Sequence, residues 1–90
     1  MLEKNVTILL PHGLHARPSG MIITEIKNLN IGEATVTKDD TTVNLRSILS
    51  LMTLGAVQGS TIKVKIEGSD AEKAMTIVEN VLTGKKGLFI

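Results

Sequence analysis

The chain contains no cysteine, tryptophan or tyrosine, and a single phenylalanine, Phe89. The lack of cysteine excludes disulfides and thiolate chemistry and fits a reducing compartment. One aromatic residue in 90 leaves an aliphatic core of Ile, Leu, Val, Met and Ala. It also leaves no ring-lined pocket for a drug-sized ligand and no stacking platform for bases. Charge of one sign is missing too: ten basic against nine acidic residues give a net +1. With no basic stripe either, nucleic acid is not an expected partner. The longest apolar runs, such as Val6 to Leu10, are far too short to span a bilayer. The opening Met1-Leu2-Glu3-Lys4-Asn5 lacks the charged-then-apolar pattern of a secretion signal. The expectation is a cytoplasmic protein with no membrane insertion.

What is present is enough for one small domain over residues 1–90, with 42% hydrophobic residues and one modest core. Val6, Ile8 and Leu10 alternate with Asn5, Thr7 and Leu9, so the spacing predicts a strand over Asn5 to Leu10, ended by Pro11. The period then changes. Ile22, Ile26 and Leu29, flanked by Ser19 and Ile23, form the stripe of an amphipathic helix running from about Ala16 to near Asn30. Ala34 and Val36 alternate in a second strand, Asp39-Asp40 reads as a hairpin turn, and Thr42 to Leu45 as the returning strand. Ser47 caps a short helix from Ile48 to about Leu54, stopped by Gly55. Ile62, Val64 and Ile66 alternate with polar neighbours in the clearest strand of the chain. Ser69 and Glu72 fit a capping box, with Ala74, Val78 and Val81 continuing the apolar face of a last helix to Gly84. The tail Gly87 to Ile90 reads as frayed but apolar enough to dock. The order β-α-β-β-α-β-α indicates an α+β fold with helices on one face of an open sheet.

The chemistry concentrates in Gly13-Leu14-His15-Ala16-Arg17-Pro18-Ser19-Gly20. Proline in a first helical turn loses no hydrogen bond, so Pro18 places the helix start near Ala16 with His15 in the cap region. Ala16 and Arg17 then present free backbone N–H groups at the positive end of the helix dipole, an anion site. Arg17 adds a guanidinium shaped to grip a phosphate with two parallel hydrogen bonds. An uncharged imidazole at His15 can attack phosphorus, and the group would land among donors that stabilise its charge. Ser19, in the first turn, could add its hydroxyl to those donors; packing is the plainer account. For His15 or Arg17 taken alone, a loop histidine or a solvated charge stays open. Together they describe an anion site with a nucleophilic histidine.

Gly13 to Pro18 resembles the signature of the HPr family, the histidine-containing phosphocarriers of the bacterial phosphoenolpyruvate sugar phosphotransferase system. A second block, Val43-Asn44-Leu45-Arg46-Ser47-Ile48 through Thr53-Leu54-Gly55, resembles the regulatory serine region of that family. The spacing between the blocks fits with roughly one extra residue, assigned to the Asp39-Asp40 turn, where insertion is tolerated. The resemblance covers essentially the whole chain and implies an open-faced β-sandwich: a four-stranded antiparallel sheet covered on one face by three helices. It implies a phosphoryl carrier, not an enzyme in its own right. Enzyme I would donate to Nδ1 of His15, Arg17 would steady the group, and enzyme IIA domains would receive it. Ser47 would be the site of an HPr kinase/phosphorylase, with a transcriptional regulator as a further partner of a monomeric carrier.

Such a carrier needs a surface that donor and acceptor grip in turn. Leu51 and Leu54 suffice for the core face of the short helix, leaving Ile48, Leu49 and Met52 as a surplus apolar patch. Gly20, Met21, Thr24 and Lys27 of the first helix complete a docking face with a polar rim. His12 reads as an exposed loop residue. Two histidines with no carboxylate or thiolate partner make a poor metal site, and neither metal nor cofactor is expected. Two other readings stand beside the sugar-system carrier: a regulatory binding module acting through Ser47 and the docking face, and a carrier of a nitrogen-related branch. The Ser47 block favours the sugar branch, and no triad supports a hydrolase using His15 as base.

Overall fold

The computed structural model describes residues 1–85; the expectation about the tail Gly87 to Ile90 lies outside the described residues. Four strands, β1 (Leu2–Thr7), β2 (Ala34–Lys38), β3 (Thr41–Asn44) and β4 (Thr61–Ile66), alternate with three helices, α1 (Ala16–Ile26), α2 (Ile48–Thr53) and α3 (Ala71–Leu82). The sheet has the order β1-β4-β2-β3, and every neighbouring pair is antiparallel. This is the open-faced architecture that the sequence resemblance implies.

Each element follows from its pattern. In β4, Ile62, Val64 and Ile66 are buried, while Thr61, Lys63 and Lys65 point to the other face. Opposite them lie Val6, Ala34 and Val36, also buried. Ile22 and Ile26 of α1, Leu51 of α2 and Ala74, Met75, Val78, Val81 and Leu82 of α3 close the same core. The opposite face is polar. Thr7 and Thr61 hydroxyls meet at 3.0 Å and those of Thr37 and Thr42 at 2.8 Å. Lys63 and Lys65 stand 3.7 and 3.6 Å from the Glu3 carboxylate. Among the described residues no helix is long and apolar enough to cross a membrane.

Beside a one-residue shift of β3, Thr41–Asn44 rather than Thr42 to Leu45, three differences from the sequence expectation have a structural cause. The first strand spans Leu2–Thr7 rather than Asn5 to Leu10, because its ladder runs only as far as β4, from Leu2 opposite Ile66 to Thr7 opposite Thr61. The alternation continues past it: Ile8 and Leu10 are buried, but their segment bonds to loop and helix-end groups, Ile8 N–H to Ser60 O and Leu9 N–H to Leu82 O. On the core side of this edge strand, Lys4 pairs with Glu79 of α3 at 2.9 Å instead of packing an apolar side chain.

Helix α1 ends at Ile26, not near Asn30. The Asn30 N–H donates to the Asp70 carboxylate at 2.7 Å, which draws the chain out of the helix into two tight turns. The same contact explains the third difference. Helix α3 has Asp70 at its cap position, with no side-chain capping bond. Both candidate caps are engaged elsewhere: Asp70 accepts from Asn30 N–H, and Ser69 Oγ accepts from Asn30 Nδ2 at 2.7 Å. The hairpin turn is Asp39-Asp40 as expected, with Asp39 at φ +54°, a conformation that Asp tolerates better than most residues.

Candidate functional site

The segment that enters α1 is fixed by backbone contacts before any side chain acts. Gly13 donates to Leu10 O at 3.0 Å, and Leu14 N–H donates to Ala56 O at 2.9 Å. Gly13 sits at φ +68°, and a Cβ there would lie 2.5 Å from Ala56 O and 2.8 Å from Val57 Cα. Only glycine combines that torsion with that approach. Leu14 is buried and anchors the next step of the chain. Gln58 Nε2 donates to Leu9 O at 3.2 Å, so the 56–58 loop straps the entry segment from both ends.

His15 is the N-cap residue of α1, with extended torsions (φ −102°, ψ −167°) and no side-chain capping bond. The first intrahelical bond runs from Ser19 N–H to His15 O at 3.1 Å. Of the three donors that a helix start leaves open before that bond, Pro18 has none to offer. The amides of Ala16 and Arg17 remain, and neither has an acceptor among the described residues. No acidic side chain occupies the first turn, so nothing internal competes for them. Arg17 is exposed, and its guanidinium pairs with no carboxylate among the described residues. The result is a positive, solvent-facing helix end with two free amides and one free guanidinium.

His15 is half-buried. Its Nε2 is the buried ring nitrogen and meets no hydrogen-bond partner, which leaves Nδ1 as the nitrogen a reagent can approach. The exposed His12 ring stands edge-on to it, with centroids 6.1 Å apart and an interplanar angle of 76°. Among the described residues no group of three or more His, Cys, Asp or Glu is placed to hold a metal ion.

Ser19 is placed otherwise than its proposed phosphate contact requires. It is 0% exposed, and its Oγ is buried without a partner, so the hydroxyl lies beneath the surface rather than among the open donors. Gly20 is half-buried, and a Cβ there would lie 3.9 Å from Ile48 Cδ1; α1 and α2 meet at this point. Met21 is half-buried against the core, while Thr24 and Lys27 are exposed. On α2, Leu51 is buried, as is Leu54 at its C-cap, and Ile48, Leu49 and Met52 are exposed by 44%, 74% and 44%. Of these exposed apolar side chains, Ile48 is the one that meets α1 at Gly20. Ser47 caps α2: its Oγ accepts from Ser50 N–H at 3.2 Å.

Sequence reasoning missed the part played by Ala56 and Val57. Ala56 is buried against Gly13, and Val57, 63% exposed, adds a bare apolar side chain beside the entry loop. Nothing in their own residue types signals this, since the contact spans more than forty positions. A cleft of 270 Å³ between β1 and α3, lined by Leu2, Lys4, Met75 and Glu79 among others, holds none of the site residues. The site itself is an open surface, suited to a reactive group delivered by another macromolecule.

Comparison with known proteins places the chain in a family and a fold. Residues 2–83 match the family described as the PTS HPr component phosphorylation site. The phosphocarrier protein HPr of Buchnera aphidicola from Acyrthosiphon pisum is 35% identical over 83 residues, 92% of this chain and 96% of that protein. The HPr of Neisseria meningitidis is 36% identical over 87 residues, 97% of each chain. The crystal structure of HPr-C-His from Thermoanaerobacter tengcongensis superposes with a TM-score of 0.87 at 32% identity, covering 100% of both chains.

Proposed function

The chain belongs to the HPr family of phosphotransferase-system phosphocarriers, and we propose that it takes a phosphoryl group onto Nδ1 of His15 from enzyme I and passes it to enzyme IIA domains. The observation that carries this reading is the pair of free amides of Ala16 and Arg17 at the helix end that His15 caps. A phosphoryl group on His15 brings negative charge to the one place among the described residues where backbone donors, the helix dipole and an unpaired guanidinium converge. The site offers no tight cleft, and a phosphorus–nitrogen bond is labile, so the group is held long enough to be handed on.

In this reading His15 is the acceptor and donor, and Ala16 and Arg17 bind the phosphoryl oxygens. Ile48, Leu49 and Met52, with Gly20, Met21, Thr24 and Lys27, form the face that each partner grips in turn. The same face serves both partners because His15 meets each of them. The carrier works as a cytoplasmic monomer. Ser47 is its regulatory site: phosphorylation by an ATP-dependent HPr kinase would keep an acceptor at the α2 N-terminus, where a phosphate is tolerated. It would also set a double negative charge beside Ile48 and Leu49, obstructing enzyme I and offering a transcriptional regulator a new feature to read.

The test is labelling by phosphoenolpyruvate, enzyme I and Mg²⁺. The expected product is one added phosphoryl group per chain, acid-labile, absent in His15→Ala and slowed in Arg17→Ala. An intact chain that stays unlabelled by a cognate enzyme I sinks the proposal.

A further inference from the structure

Among the described residues only two buried side-chain nitrogen or oxygen atoms lack a hydrogen-bond partner: His15 Nε2 and Ser19 Oγ. Ser19 is also the one fully buried polar residue there. An unpaired buried polar group is costly, and native structures keep few of them. Two in one turn of one helix, with none elsewhere, is a pattern that packing does not explain. A serine in this position has an ordinary outlet, the carbonyl one turn back. Here that carbonyl, His15 O, accepts the Ser19 amide, and the hydroxyl leaves it unused.

His15 is the cap residue, and Ser19 donates its amide to His15 O at 3.1 Å, so the two residues are joined across the first turn. Rotation of the two side chains about their own torsions is the movement that would pair the ring nitrogen with the hydroxyl. We infer that Ser19 is a positioning residue for His15: its hydroxyl accepts a hydrogen bond from Nε2–H and so holds the imidazole in the tautomer whose Nδ1 carries a lone pair. This deepens the phosphocarrier reading and rests on it.

The chemistry requires that tautomer. Attack forms the Nδ1–P bond with the Nδ1 lone pair, while the bond from phosphorus to the donor breaks and its electron pair leaves with the donor. The ring becomes cationic, and its proton stays on Nε2. That N–H is then a charged donor, the kind that gains most from a buried acceptor, and Ser19 Oγ is the acceptor within reach. When the group moves on, the N–P electron pair returns to Nδ1, and Nε2 keeps its proton throughout. The Ser19 O–H meanwhile can donate to His15 O, so both orphan atoms find partners in the working state. Ser19 thus acts on the ring from below and leaves the phosphoryl oxygens to Ala16 and Arg17.

The experiment compares the wild-type chain with Ser19→Ala and the near-isosteric Ser19→Cys, which packs alike but accepts poorly. Long-range ¹H–¹⁵N correlation of the His15 ring reads the tautomer directly in the unphosphorylated protein. The wild type is expected to hold its proton on Nε2, and both variants to show a mixture of tautomers. Labelling by phosphoenolpyruvate and enzyme I is expected to slow roughly two- to tenfold in both variants, the scale of one modest hydrogen bond, with the urea midpoint unchanged or raised. Wild-type ring signals or wild-type labelling rates in both variants overturn the inference, as does a wild-type proton on Nδ1. Should the wild type itself never be labelled, the phosphocarrier reading fails on its own, while the ring spectrum still decides the role of Ser19.

Discussion

Two glycines with nearly identical torsions allow the entry to His15 to be weighed against a built-in control. Gly13 lies at φ +68° and Gly55 at φ +70°. Alanine at either site meets the same left-handed penalty, about 1–2 kcal/mol, less about 0.4–1 kcal/mol regained from a stiffer unfolded chain. At Gly55 the account stops there, because a Cβ has nothing within 4 Å. At Gly13 the Cβ would sit 2.5 Å from Ala56 O and 2.8 Å from Val57 Cα. Both are backbone atoms, so relief means moving the loop, an overpacking cost of about 1–3 kcal/mol. The same Ala56 oxygen accepts from Leu14 N–H at 2.9 Å, so moving it also weakens a hydrogen bond with a net value of about 1 kcal/mol. Gly13→Ala should therefore be about 2–4 kcal/mol less stable than Gly55→Ala. Urea unfolding followed by far-UV circular dichroism measures the difference, since the chain has no Trp or Tyr to report by fluorescence. A difference below about 1 kcal/mol would refute the close approach of the two segments. Gly13→Ala should also slow labelling at His15, whose backbone the displaced loop carries with it, while Gly55→Ala should not.

The remaining expectations concern the second helix and the sheet edge. Leu51 is 0% exposed and is the one buried residue within α2, so Leu51→Ala should cost about 2–5 kcal/mol, seen as a lower Tm. Leu49 is 74% exposed; Leu49→Glu should leave stability within about 0.5 kcal/mol yet slow labelling by enzyme I, and unaltered labelling would remove Leu49 from the docking face. Ser47→Ala removes the cap to Ser50 N–H and should cost about 1 kcal/mol, whereas Ser47→Asp keeps an acceptor and should stay close to wild type in urea. The Lys4–Glu79 pair is partly exposed, at 49% and 33% for the two side chains. Lys4→Met should therefore change stability by less than about 1 kcal/mol, and the effect should shrink at high salt.

Most of the fold was legible because each element repeats a period. The alternation of Ile62, Val64 and Ile66 and the stripe of Ile22 and Ile26 each specify their element and its buried face. What local pattern could not supply was the partner that ends an element. The first strand ends with its ladder to β4, although its alternation runs on through Ile8 and Leu10. The first helix ends early and the third loses its side-chain cap through one long-range cluster of Asn30, Ser69 and Asp70. Capping rules place Ser69 correctly as a polar residue at a helix start, but they are blind to an amide forty positions away that competes for it. The surplus apolar residues of α2 were legible from counting alone, since a six-residue helix has room for only one or two core positions.

The candidate site divides along the same line. Its open donors were readable, because Pro18 and the helix start dictate which amides go unpaired. Its support was not: Ala56 and Val57 press on Gly13 from a distant loop. Ser19, for which packing was the plainer account beside a place among the donors, is wholly buried. Elsewhere among the described residues, buried polar side-chain atoms all find partners, and the two exceptions fall on His15 and Ser19. Sequences that specify a single fold satisfy their local rules nearly everywhere and depart from them where a site must stay ready for an incoming group. Unpaired amides at Ala16 and Arg17, an unpaired ring nitrogen and an unpaired hydroxyl within five consecutive positions are departures of that kind. The outer pair of amides awaits negative charge from outside the chain. The inner pair of buried atoms needs only each other, and a cationic, phosphorylated ring is the state in which their pairing gains most.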